Sequence, residues 1–360
     1  MNIRKSNNFS LRISKSTTKI RERAKTARSY LFCKASIYYI VKINVKAYAP
    51  KAFGCIGILA FMAFMLAKPE YYLDSARKGL ALFATSVLPS LFPFYFCSLL
   101  LTYSGAVGAI SKLGEKPVKL MYNAPKESAY ALFLSMLCGY PVGASTICEL
   151  YESGILTTSD AKKACAFCST SGPIFMIGTI GGAIFHDGRI GWIVLCSHYI
   201  GAILNGLIYR AKKDKTQKIT TLRSYDVDGV MSKVVSKATV NMLYVGGYIV
   251  ICGMLVDTLS LIGFENATSS LPSLLGQSLN AIVYGLIEMT RGGIACANVG
   301  DSQLACAIAS GIVSLGGLSV TLQNYTFLSK AGVGFFEMTL RKVTQCLISA
   351  LCAYLIGFSL

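Results

Sequence analysis

Glu288 and Arg291 stand three residues apart in the stretch Glu288-Met289-Thr290-Arg291-Gly292-Gly293, directly after the apolar run Leu274–Ile287. Charge beside an apolar run is expensive to leave uncompensated, so this pair has two readings. Either the two side chains pair and stabilise a hairpin tip, or Glu288 faces a substrate or a coupled cation. Two further stretches break an apolar sequence: Gly139-Tyr140-Pro141-Val142-Gly143 and Ser169-Thr170-Ser171-Gly172-Pro173. Proline removes a backbone donor and glycine weakens a helix, so a plain membrane span would not be interrupted this way. A helix that starts at such a break presents unpaired N–H groups and a partial positive charge. Starts following Gly143 and Pro173, and near Gly292 and Gly311, would favour a carboxylate or another anionic or polar small molecule. Ser169, Thr170, Ser171, Thr290 and Ser310 would supply orienting hydroxyls. The plain alternative is that these small residues only let helices pack closely. Four clusters in matching order favour binding, so the expected substrate-binding set is Gly139, Pro141, Gly143, Ser169, Thr170, Ser171, Gly172, Pro173, Glu288, Thr290, Gly292 and Ser310.

Other reactive side chains read more plainly. Glu149 and Glu152 are expected on a solvated hairpin loop, and Asp257, Asp301 and Glu337 at the membrane interface. His186 lies in a polar turn, and His198 reads as a satisfied polar residue within a span. The chain has 13 cysteines, mostly within apolar runs, where thiols act as small hydrophobes rather than a disulfide framework. Cys165 and Cys168 have C-x-x-C spacing, but no second pair completes a zinc site. Neither a metal nor a cofactor is expected. With no nucleophile–base pair and no GxxxxGK[ST] motif, an enzyme or direct ATP drive is the least supported class.

The elements that must position these residues are membrane helices. The chain is 53% hydrophobic and 14% charged, with a mean hydropathy of +0.53. That places it among polytopic all-α membrane proteins, with room for about eight to ten embedded segments at ~20 residues each. The net charge of +18 is uneven: residues 1–51 hold thirteen Lys/Arg against one acid, Glu22. Beside a membrane span such a tail reads as a cytoplasmic flank, not a nucleic-acid arm, because no binding motif accompanies it.

In order, the chain reads as a basic tail over 1–51, a first membrane half over 52–209, a cytoplasmic linker over 210–230 and a second half over 231–360. Phe53–Ala67 is a short first span, and Gly79–Tyr103 crosses back, kinked by Pro89 and Pro93. Residues 104–126 are cytoplasmic by their lysines. A re-entrant hairpin follows at about 127–157, then Ala164–Phe185 and Trp192–Tyr209 cross. The second half repeats this order with Thr239–Ile262, a second hairpin at about 274–299, and Gln303–Val320. A polar turn carrying Arg341-Lys342 then precedes the last span, Thr344–Gly357. From a cytoplasmic 210–223 the second hairpin enters from the other side. This is an inverted repeat with two re-entrant helical hairpins meeting near the midplane.

On GYPVGA (139–144), ELYESGILT (149–157), AFCSTSGPIFMIGTIG (166–181) and GLIEMTRGG (285–293), the chain resembles the YlbJ-type sporulation integral membrane proteins with the nucleoside-recognition or Gate domain. The resemblance covers roughly residues 52–360. It implies a core similar to that of concentrative nucleoside transporters. It also implies a role in endospore formation, with movement of dipicolinic acid across the outer forespore membrane. The expected partners are therefore a small, anionic substrate, the lipid bilayer and a coupling cation or proton; the oligomeric state is left open. A transporter of nucleosides or another metabolite is the alternative within the class, because a fold does not fix a substrate. A sporulation membrane scaffold that transports nothing is the alternative outside it.

Overall fold

The computed structural model describes residues 54–210 and 227–357. The basic tail 1–51 and most of the linker 210–230 lie outside the described residues. Two compact units divide at Pro69. The first, among the described residues, holds one short apolar helix, α1 (Gly54–Ala67).

The regular elements among the second unit's described residues are all helices. A long stretch opens it: α2 (Pro69–Leu82), a π-helical turn (Phe83–Val87) and α3 (Leu88–Tyr103) run without a gap. The π turn sits just before Pro89, which lacks the N–H an α-helix would need there. Two short helices follow, α4 (Val107–Leu113) and α5 (Glu115–Tyr122), then α6 (Glu127–Cys138) and α7 (Val142–Glu152), which pack against each other. Next come α8 (Thr158–Ala164), a non-helical passage through Gly172, a π-helical segment (Ile174–Ile184) and α9 (Gly188–Ile208). The remainder is α10 (Val227–Leu261), α11 (Phe264–Ser269), α12 (Ser273–Ile287), α13 (Met289–Cys296), α14 (Ser302–Leu315), α15 (Gly317–Leu328) and α16 (Phe335–Ile356).

Among the described residues, five helical stretches are long and apolar enough to cross a membrane: Pro69–Tyr103, Gly188–Ile208, Gly229–Leu261, Ser302–Ala331 and Phe335–Ile356. The side chains sort as a lipid solvent demands. On α16, Leu347, Leu351 and Leu355 are exposed, while Arg341, Lys342, Gln345 and Ser349 are buried. Polar groups turn inward because hydrocarbon cannot hydrogen-bond them. Small residues then bring helices together: the Ser310 hydroxyl on α14 pairs with Ser197 on α9 at 2.8 Å and reaches the Ser349 carbonyl on α16 at 3.3 Å.

Several boundaries differ from the sequence expectation. Ala164–Phe185 is not one helix, because the passage from Cys165 to Gly172 is turned and extended. Gln303–Val320 is interrupted at Gly316, whose φ of +79° is left-handed. The half-helix start expected near Gly311 therefore lies at Gly317, and Ser310 is inside α14. The last helix begins at Phe335, so Arg341 and Lys342 are interior residues rather than a turn. A window scored for apolarity misses this, because α16 is polar on its inner face and apolar only outside. Glu149 is not solvated: it is buried and paired with Lys237 of α10.

Candidate functional site

Four broken places converge. The α6–α7 tip carries Gly139, Tyr140 and Pro141, and the passage before the π-helical segment carries Ser169–Pro173. The α12–α13 tip carries Glu288, and the α14–α15 break carries Gly316. In the first pair, Gly139 has φ +82°, and a Cβ there would stand 2.4 Å from the Gly172 nitrogen. In the second, Gly317 has φ +65°, and a Cβ there would stand 2.6 Å from the Gly285 carbonyl oxygen. Each tip therefore touches its own break backbone to backbone, which only glycine permits.

A cavity opens among these four places and α3, α10 and α15. Its polar wall is Ser171, Glu288, Thr290, Ser319 and Gln323, with Ser86 and Ser90 from the other side. Its apolar wall includes Phe94, Ile174, Phe175, Val245 and Met289. A mostly apolar cleft with few convergent polar groups is what small-molecule sites look like. Two half-helix starts border it without a side-chain cap, that of α15 at Gly317 and that of the π-helical segment after Pro173. A third is already capped: the Glu288 carboxylate accepts from the Arg291 backbone N–H at 2.8 Å at the start of α13. Of the two readings of Glu288 and Arg291, the side-chain pair is not the one formed. The Arg291 guanidinium reaches Asp257 of α10 at 3.1 Å instead, and Asp257 also accepts from the Ser75 hydroxyl.

Of the residues expected to bind, Ser171, Gly172, Glu288 and Thr290 line this cavity. Gly139 supports it through Gly172; Pro141 precedes the start of α7 and Pro173 that of the π-helical segment, neither with a side-chain capping bond. Gly143 packs on the Cys168 carbonyl and Gly292 on Gly285, so both serve close approach. Thr170 pairs with Ser135 at 2.8 Å, and the Ser169 hydroxyl accepts from Asn324. Ser310 points to α9 and α16 and has no part in the cavity.

Sequence reasoning missed the polar cluster behind the cavity wall. His198 is fully buried on α9: its Nε2 accepts from the Ser171 N–H at 2.9 Å, and its Nδ1 pairs with the Ser314 hydroxyl at 2.7 Å. A ring that accepts at Nε2 carries its proton at Nδ1 and is neutral. It ties the first break to the second. Tyr140, on the cavity wall, donates to the Val313 and Ser314 carbonyls, each at 3.3 Å. Lys342 donates to the Tyr140 hydroxyl. The one signal for Lys342 was a lysine spaced to share a helical face with Gln345 and Ser349 (i, i+3, i+7), the inner face of α16.

No family model matches the chain, and no solved structure matches it. A curated relative does: the sporulation integral membrane protein YlbJ of Bacillus subtilis (strain 168). It is 24% identical over 330 residues, which cover 83% of this chain and 80% of YlbJ. The chain is YlbJ-like. The match and the five apolar stretches together make it an integral membrane protein that crosses several times.

Proposed function

We propose that this chain is a secondary transporter of a small polar or anionic metabolite, which it moves without chemical change. The observation that carries the reading is the cavity bounded by two hairpin tips and two helix breaks. Non-helical backbone at membrane depth is tolerated where it lines a cavity, and transporters place substrate there. The order of elements supports an inverted repeat: a long helical stretch, one or two short helices, a hairpin, a broken stretch and a full-length helix occur twice. In this reading α6–α7 and α12–α13 are re-entrant hairpins entering from opposite sides. The uncapped starts of α15 and the π-helical segment would hold a carboxylate, and Ser171, Thr290, Ser319 and Gln323 would orient it.

For the substrate we propose dipicolinate, and for the location the outer forespore membrane. Both rest on the YlbJ-type resemblance and on the fit of a carboxylate to helix starts. Purified protein in proteoliposomes tests this. Saturable uptake of labelled dipicolinate, weakened by Gln323→Leu in folded protein, is the expected result. Uptake of nucleosides but not dipicolinate would replace the substrate. No uptake of either under any ion gradient would favour a membrane scaffold.

A further inference from the structure

Lys342 is 1% exposed, yet no carboxylate bonds its ammonium among the described residues. Its donors go to the Tyr140 hydroxyl, to the Ser169 carbonyl at 3.1 Å and to Gln345 Oε1 at 3.4 Å. These partners come from three different elements: the first hairpin tip, the first break and α16. Through Tyr140 the ammonium also reaches the Val313 and Ser314 carbonyls, which are orphan acceptors at the C-terminal end of α14. In transporters with discontinuous helices, unwound carbonyls and half-helix C-termini are where a coupling cation sits. Here that position is filled by a side chain. Two neighbouring buried atoms, Asn324 Oδ1 and Gln345 Nε2, find no hydrogen-bond partner among the described residues.

We propose that Lys342 is the proton-binding site of the transport cycle, its amino group taking the place of a separate coupling cation. This rests on the transport reading above. Lysine, unlike arginine, can give up its proton when buried. As an ammonium, Lys342 has only donors, so Tyr140 must accept from it and send its own proton to the α14 carbonyls. As an amine, Lys342 offers a lone pair to the Tyr140 hydroxyl, and those carbonyls lose their bond. One proton gained or lost at Nζ therefore makes or breaks the tie between the first hairpin tip and the second break. The proton reaches Nζ by way of the Tyr140 hydroxyl, which lies on the cavity wall and gives one proton as it takes another. Nothing is oxidised or reduced.

The other titratable groups around Lys342 are Tyr140 from the hairpin tip, His198 from α9, Cys165 from the passage after α8, and Cys346 on α16. Arg341 and Glu337 lie on its own helix and pair with each other at 2.8 Å. From α14 the Val313 and Ser314 carbonyls, which do not titrate, face the Tyr140 hydroxyl that Lys342 bonds.

Hydrogen–deuterium exchange of the full-length protein in nanodiscs, without substrate, tests the switch. Exchange is followed at peptides over 139–146 and 313–320 in acidic and alkaline buffer, corrected for the intrinsic rate. The wild type should lose protection at both peptides in alkali. Lys342→Arg should hold the acidic pattern at every pH, and Lys342→Met the alkaline one. Tyr140→Phe, which keeps the lysine, should lose the response over 313–320. A wild type without a pH response, or a response that survives in Tyr140→Phe or either lysine variant, overturns the proposal. In proteoliposomes, uptake should follow a proton gradient and ignore sodium; a sodium requirement also overturns it. The exchange measurement needs no substrate, so a wrong substrate and a wrong proton site give different results.

Discussion

Lys237 and Asp257 stand on one helix, α10, and each forms an ion pair with a different hairpin: Lys237 with Glu149 of α7, Asp257 with Arg291 of α13. Roughly 30 Å of helix rise separates them at ~1.5 Å per residue, about the thickness of a bilayer's hydrocarbon core. In both cases it is the second limb of the hairpin that is fastened. The two fastenings differ in height: Glu149 lies in the last turn of α7, away from its tip, whereas Arg291 lies in the first turn of α13, beside the Glu288 tip.

The Glu149–Lys237 pair is the better buried of the two, and the Tyr103 hydroxyl donates to the same carboxylate at 3.2 Å. Lys237→Met alone should lower stability by about 2 kcal/mol, because it leaves a buried charge behind. That is less than the ~3–5 kcal/mol for a fully buried pair, since the lysine is 30% exposed. The double variant Glu149→Gln, Lys237→Met should recover most of the loss. Thermal unfolding in detergent reads both, and equal losses for single and double variants would show that the pair is not coupled.

Gly139→Ala should destabilise by at least about 2 kcal/mol, combining a left-handed backbone with a Cβ pressed on the Gly172 backbone. Gly317→Ala should behave alike, for the same two reasons at the other tip. Gly178→Ala is the control: a Cβ there meets nothing within 4 Å, so stability should hold or rise by a few tenths of a kcal/mol. The same unfolding assay separates the three, and a Gly139→Ala protein as stable as Gly178→Ala would mean the tip does not sit on the break.

Ser310→Ala should cost about 1 kcal/mol of stability, through the lost bond to Ser197, and leave substrate affinity unchanged. Thr290→Ala should weaken substrate binding, because Thr290 faces the cavity. Binding measured by a thermal-shift titration tells the two apart. The contrast marks what sequence could and could not say. Breaks made by proline or by clustered glycine and serine were legible, since each removes or weakens a helical hydrogen bond wherever it lies. Ser310 and Gly316 sit in one apolar stretch with glycines at 311, 316 and 317, and composition does not say which glycine adopts positive φ. Tyr140, Ser319, Gln323 and Lys342 were not legible as a set, because they come from separate elements and only folding brings them together. Arg341 and Lys342 misled directly: charge in a sequence window looks like a turn, whereas here it lies on the inner face of a span.

Glu288 joins two roles that substitution can separate. Its carboxylate caps α13, and the same side chain borders the cavity while only 3% exposed. Glutamine keeps an oxygen able to accept from the Arg291 N–H, so Glu288→Gln should preserve the cap and stability within about 0.5 kcal/mol. Alanine removes the acceptor, and Glu288→Ala should lose about 1 kcal/mol. If the charge itself serves transport, uptake into proteoliposomes should fall in both variants, although only one is destabilised. Uptake that survives in Glu288→Gln and fails in Glu288→Ala would reduce Glu288 to a helix cap, and recognition would then fall to Ser171, Thr290, Ser319 and Gln323.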